Sequence, residues 1–232
     1  MPNMSLDNQV NTAQIDSEVS ASTRRVPVQG RSQQTVQRVL DAASSLLQQV
    51  PLDEVTTTRI ATEAGLSIGA LYRFFPDKQA IIDAIAVRHV EQFRASLAGT
   101  VLKTVASHLA RLQKPNPAAI LDAIIDAYIV YLDAHPDFRT ISFGRYVSAA
   151  TKERQISSDV GVAALLKRFM LEQLGAANTD ELDLKLHMVS EAGEHLIAYA
   201  YEQPTQPERA RIVTELKKML SRYLFEPDSA QG

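Results

Sequence analysis

The sequence contains no cysteine. That absence excludes disulfides, a thiol nucleophile, thiolate-bound metal and iron–sulfur clusters, and it makes the cytoplasm the expected compartment. Long apolar runs are also missing. The richest stretch, Ala119 to Leu132, is cut by Asp122 and Asp126, short of the roughly 18 residues that a membrane span needs, so no membrane partner is expected. The opening residues MPNMSLDNQVNTAQIDSEVS have neither the basic start nor the apolar centre of a secretory signal. Period-two alternation with turn dipeptides is absent, and so is an internal repeat. What is present is a chain of 232 residues, 45% hydrophobic and 22% charged, a globular composition long enough for one large helical body or two modules. The net charge of -3 is unevenly spread: residues 1–23 carry -3, residues 24–80 carry +2, and residues 81–232 carry -2. A local basic patch of this kind can meet phosphate on an acidic protein, because charges farther away than about 8–10 Å are screened.

Residues 1–30 are rich in Ser, Thr, Gln and Asn without helical periodicity, which reads as a disordered tail ending in a basic arm with Arg24, Arg25 and Arg31. From Ser32 to about Gln49, Val36, Val39, Leu40, Ala43, Leu46 and Leu47 recur at helical spacing, and Pro51 stops the run. Thr56-Thr57-Thr58 offer an N-cap to a second helix carrying Ile60, Ala61 and Ala64, and Gly65 ends it. Ser67 caps a short third helix, Ile68 to about Phe74, limited by Pro76. Asp77 caps a fourth. Further helices are expected at about 79–112, 117–134, 137–146, 158–175, 180–203 and 205–225, so the fold class is all-α.

The stretch Thr56 to Lys78 carries the most information. Two short helices joined at Ala64-Gly65-Leu66 fit a helix-turn-helix, with Ala61 giving close approach and Gly65 the turn. The second of them begins narrow, with Ser67, Gly69 and Ala70, and then presents Tyr72 and Arg73. Leu66, Leu71 and Phe75 are expected in the core. The run from Arg31 to about His89 resembles the DNA-binding domain of the TetR family of bacterial transcriptional regulators. It does so through Ala42-Ala43, Thr56-x-x-x-Ile60-Ala61, Ala64-Gly65-Leu66-Ser67-x-Gly69 and Leu71-Tyr72-x-x-Phe75-x-x-Lys78. Phe74 stands where many members carry His.

The resemblance implies an N-terminal three-helix DNA-binding domain at 31–90 and a larger helical effector-binding and dimerisation domain at 91–228. It implies a homodimer, a double-stranded DNA operator and a small-molecule effector as partners, with no cofactor and no enzymatic activity. A repressor is expected; an activator would keep the same fold. Thr57, Thr58 and Lys78 are placed for phosphates, with Arg31 in the basic arm. Ser67, Ile68, Gly69, Ala70 and Arg73 face base edges, and Tyr72 offers its hydroxyl or its ring.

In the larger domain Leu182, Leu186, Val189, Gly193, Leu196 and Ala200, then Ile212, Leu216, Met219, Leu220 and Tyr223, form long apolar faces that the resemblance assigns to a four-helix dimer seam. Tyr128, Tyr131, Arg139, Phe143 and Phe169 are candidates for an effector pocket. His187, Glu191 and His195 share one helical face with Tyr199. A metal site there, and with it a helical metal-dependent enzyme carrying a regulatory DNA-binding module, is the rival reading. The stripe lacks the paired Glu-x-x-His motifs of a di-iron bundle, so a polar pocket or seam lining is favoured and no metal is expected.

Overall fold

A computed structural model describes residues 27–110, 116–157 and 162–225, and among them every regular element is helical. The helices are α1 (Pro27–Gln49), α2 (Thr57–Glu63), α3 (Ile68–Tyr72), α4 (Lys78–Ala110), α5 (Pro117–Ala134), α6 (Pro136–Phe143), α7 (Ala149–Ser157), α8 (Val162–Leu174), α9 (Asp180–Tyr201) and α10 (Gln206–Phe225), with a 3-10 turn at Leu52–Glu54.

Two differences from the sequence expectation concern boundaries. Helix α1 begins at Pro27 rather than Ser32, so residues 27–30 are helical and not part of an irregular tail. Proline suits a first turn, where its fixed φ and missing N–H cost nothing. Residues 1–26 of that tail, with Arg24 and Arg25, lie outside the described residues. The helix expected at 137–146 ends at Phe143, and α7 follows where none was expected. Its first turn is anchored from a distant helix. Ser148 Oγ accepts from the Thr151 N–H at 3.3 Å, while Asp83 on α4 accepts from Ser148 N (2.9 Å), Ser148 Oγ (2.6 Å) and Thr151 Oγ1 (3.0 Å).

Two cores share one spine. Val39, Leu46, Ile60, Leu71, Phe75, Ile81 and Ile85 form the first, joined by Ile141 of α6, and Phe93, Leu97, Ile120, Leu132, Leu186 and Leu220 belong to the second. Helix α4 enters both, and its 33 residues extend about 50 Å at 1.5 Å per residue. Between the two sets its inward residue is His89, 3% exposed. The chain therefore changes cores at a polar residue.

The Asp83 anchor yields a test. Burial raises its carboxyl, but the bonds from Ser148, Gln79 and Thr151 outweigh that and hold it below the usual carboxylate value. A depressed folded-state value means stability present above about pH 4 and lost as pH falls through the folded value. Asp83→Asn should therefore destabilise the protein at pH 7 by about 2 kcal/mol and flatten the stability curve below pH 4. Urea titrations across pH check this, and parallel curves for the two proteins would exclude the anchor.

Candidate nucleic-acid interface

The exposed end of the first core is built from short helices that caps and packing hold in place. At α2, Thr56 Oγ1 accepts the Arg59 N–H at 3.2 Å. The turn after it is closed by Leu66 N donating to Ala61 O (2.8 Å) and Gly65 N donating to Thr62 O (3.0 Å), the pair of bonds that ends a helix at a left-handed residue. Gly65 supplies that conformation with φ +63°, and Arg38 of α1 donates to the carbonyls of Ala64 and Gly65. At α3, Ser67 Oγ accepts the Ala70 N–H at 3.2 Å. Five residues are too few for an independent helix, and α3 is held by Leu71 (0% exposed) and by Phe75 just beyond it, both in the core as expected.

The opposite side of α3 faces outward. Ser67, Ile68, Gly69, Tyr72 and Arg73 are exposed and Ala70 is half-buried. A Cβ built on Gly69 meets nothing within 4 Å, so the outer surface is flat there. Thr58 is exposed, and half-buried Thr57 joins α2 to α3 through its hydroxyl, 3.1 Å from Tyr72 Oη. Lys78 is half-buried and donates to Leu52 O at 3.2 Å, leaving two N–H groups for another acceptor. Arg59 is engaged by Glu54 O (3.0 Å), whereas Arg73 lies only over the Phe74 ring at 5.9 Å. Arg31 falls in α1, but its side chain is outside the described residues.

In the larger domain the expected pocket residues separate. Tyr128 and Tyr131 both pack on Phe93, with centroids at 5.2 and 5.3 Å, and Phe143 packs on Tyr201 at 5.4 Å. Arg139 lies over the same Tyr201 ring and 3.8 Å from Asp133. Phe169 is buried in the second core. His187 and Glu191 stand on the exposed face of α9, and exposed His195 accepts from Arg145 through Nδ1 at 2.7 Å. The α9 stripe therefore lines no interior space within one chain: four-residue spacing predicts a shared face but not which way it turns.

Residues not singled out from sequence include Glu194, whose carboxyl is raised by burial despite Lys152 and Arg145 nearby, and Tyr128's neighbour Phe93. The apolar faces of α9 and α10 also need correction. Leu182, Leu186, Val189, Ala200, Leu216 and Leu220 are buried within the chain, and Gly193 gives room to Leu220, whose Cδ1 lies 3.7 Å from a Cβ built there. Of the expected set, Met219 and Tyr223 on α10 do face outward, and Leu184, Met188 and Tyr199 on α9 are the further exposed apolar residues. An open groove between the two helices, lined by Leu196, Tyr199, Ile212 and Met219, continues that face.

A three-helix unit with an outward-facing second helix of the turn, mounted on a larger helical body, defines a helix-turn-helix transcriptional regulator. Residues 39–85 match the family described as bacterial regulatory proteins of the tetR family, and residues 116–224 match the tetracyclin repressor-like C-terminal domain. The chain belongs to the TetR family. Among solved structures, a TetR-family regulator from Streptomyces coelicolor is 25% identical with a TM-score of 0.60, over 82% of this chain and 97% of that one. RolR in complex with resorcinol is 16% identical with a TM-score of 0.60, over 85% and 96%. Thermus thermophilus FadR, a repressor in complex with lauroyl-CoA, is 16% identical with a TM-score of 0.53, over 85% and 98%. The last two likenesses concern the fold. No curated protein is similar enough to register as a relative.

The open surface at Gly69 separates contact from packing. Gly69→Val should leave thermal stability within about 1 kcal/mol of the parent, the scale of helix propensity alone, while abolishing binding to a preferred duplex. A large drop in melting temperature would instead make Gly69 a packing residue.

Proposed function

We propose that the protein is a homodimeric, ligand-responsive repressor that binds an inverted-repeat operator and is released by a small-molecule effector. The observation that carries this reading is the exposed face of α3. Small residues, Ser67, Gly69 and Ala70, let the backbone approach a groove, and Ile68, Tyr72 and Arg73 flank them as reading groups. Thr57, Thr58 and Lys78 border the same surface and serve as phosphate contacts, which position without reading sequence. Arg31 would extend this from the arm.

The dimer is supported by the α9 and α10 face. Leu184, Met188, Tyr199, Met219 and Tyr223 are each 44–59% exposed, and large apolar residues gathered outward on two neighbouring helices are the composition of an interaction site. Two-fold pairing of these helices would form a four-helix seam and present two α3 helices to successive major grooves. His187, Glu191 and His195 border that face. The effector site is assigned to the aromatic interior around Tyr128, Tyr131 and Phe93, with Glu194 near Tyr128, while Phe143 and Arg139 gather on Tyr201. Structures of the same fold hold resorcinol and lauroyl-CoA, which supports a small-molecule role for this body. The metal-dependent enzyme reading loses its basis, because the α9 stripe faces outward.

Selection from a random duplex library tests the reading directly and should return an inverted repeat; a preferred site without two-fold symmetry would overturn it. On that site Arg73→Ala should cost roughly 1–3 kcal/mol and relax preference at one position per half-site, while Lys78→Ala should weaken binding to all duplexes alike and lower the log affinity–log salt slope by about one.

The seam has its own test. Met188→Asp should convert the protein to a monomer in sedimentation experiments and reduce duplex affinity, with helical content retained. A variant that stays dimeric places the seam elsewhere.

A further inference from the structure

The joint between the two cores contains a polar cluster whose His89, His135 and Asp137 the proposed function does not use. His89 Nε2 lies 2.9 Å from Asp137 Oδ2, and Nδ1 lies 2.8 Å from Tyr131 Oη. Both His89 and Asp137 are 3% exposed. Tyr131 Oη also lies 3.2 Å from Gln92 Oε1, so its proton goes either to His89 Nδ1 or to Gln92, and in the second case His89 Nδ1–H donates to the tyrosine oxygen. Asp137 is an acceptor as well, because the Ser44 hydroxyl and the Phe138 N–H donate to it. The remaining His89 nitrogen, Nε2, faces a carboxylate oxygen, and either an N–H proton or a metal ion bridges the two.

A third donor is adjacent. The His135 ring packs against His89 at 5.0 Å between centroids and against Tyr131 at 4.2 Å. One donor atom each from His89, His135 and Asp137 lies within 4.8 Å of the other two. His135 is half-buried, which gives the cluster an opening, and no hydrogen bond to its ring is made by the described residues. Arg88, the neighbouring cation, is held on the α1 side by Asp41 at 2.6 Å and Ser44 at 2.9 Å.

We propose that His89 Nε2, a ring nitrogen of His135 and an Asp137 carboxylate oxygen form a binding site for a divalent first-row transition ion of the zinc type. Two imidazoles and one carboxylate suit such an ion and do not suit magnesium or calcium. Ligands about 2.0–2.1 Å from a tetrahedral ion lie about 3.3 Å apart, so the buried pair at 2.9 Å is already near that spacing, and the His135 donor lies within 4.8 Å of both. The chain from His89 Nδ1 through Tyr131 to Gln92 is the outer hydrogen-bond support that orients a metal-bound histidine. The ion displaces the proton from Nε2, and the fourth position, toward the opening at His135, is left for water. Since α4, α5 and α6 meet here beside α1, occupancy stiffens the seating of the first core on the second; that consequence for DNA binding rests on the proposed function, whereas metal binding does not.

The test titrates chelator-treated full-length protein with Zn2+ alone in a calorimeter and with Co2+ alone in the visible spectrum. One ion per chain is expected, with the intense ligand-field bands of four- or five-coordinate cobalt. His135→Ala, which removes a ring without a hydrogen-bond partner among the described residues and so preserves the fold, should weaken Zn2+ binding more than about 100-fold, the upper range for loss of an outer-shell partner. Tyr131→Phe, keeping the ring, should weaken it roughly 10–100-fold. The double variant His187→Ala, His195→Ala should bind as the parent does. Absence of Zn2+ and Co2+ binding overturns the site and leaves an N–H proton between the pair; binding that survives His135→Ala but not the α9 double variant overturns it in favour of the exposed stripe. Duplex binding measured on the same samples keeps the two proposals apart: a protein that binds its selected site but takes no metal loses only the metal site.

Discussion

The constraint on which the rest depends is that one helix, α4, serves two hydrophobic cores and crosses from one to the other at His89. An apolar side chain at that point would pack in several rotations of the helix with little difference in energy. His89 cannot. Its partners Asp137 and Tyr131 come from α6 and α5, and breaking these buried hydrogen bonds by moving one member leaves an unsatisfied polar group at a cost of about 1–3 kcal/mol. Ser44 of α1 joins the same carboxylate, and Arg88 reaches back to Asp41 and Ser44. Polar geometry thus sets the angle between the modules, while apolar contacts such as Ile141 supply the adhesion.

That division of labour continues down to α3. A five-residue helix has no stability of its own, so its orientation is whatever Leu71, Phe75 and the turn at Gly65 impose. Arg38, bonded to the turn carbonyls from α1, ties the turn to the helix that packs against α4. An unbroken series of buried or hydrogen-bonded contacts leads from the Asp137 joint through α1 to the α2–α3 turn. The outward residues Ile68, Gly69 and Arg73 do not take part in it and are free to change without loss of fold, whereas Ser67 also caps α3.

How much of this was legible depends on the range of the interaction. The caps at Thr56, Ser67 and Asp77, the turn at Gly65 and the stop at Pro51 act within a few residues, so spacing alone placed those elements. The module at the N-terminal end could be read to individual side chains. Helix α7 could not, because its anchor, Asp83, is 65 residues from Ser148. Nor could the joint: His89 and Asp137 are 48 residues apart, with no periodic relation. The α9 stripe shows the converse error. Four-residue spacing established that His187, Glu191 and His195 share a face, but both faces of α9 carry apolar residues, and only packing against α10 decides which one turns inward.

The same packing explains why exposed apolar residues persist on α9 and α10. A single chain already buries Leu186, Val189, Ala200, Leu216 and Leu220 between and beneath these helices, so Leu184, Met188, Tyr199, Met219 and Tyr223 add nothing to its own core. Stable interfaces bury about 800 Å² per partner, an area that two helices of 22 and 20 residues can supply along their outer faces. In the proposed dimer the two α3 helices need a set separation, and that separation would be transmitted from the seam through α9, α10 and the second core to α4. A loose joint at His89 would let each α3 swing independently of the seam. On that proposal the buried polar cluster is what would let an apolar seam act on the spacing of the two α3 helices.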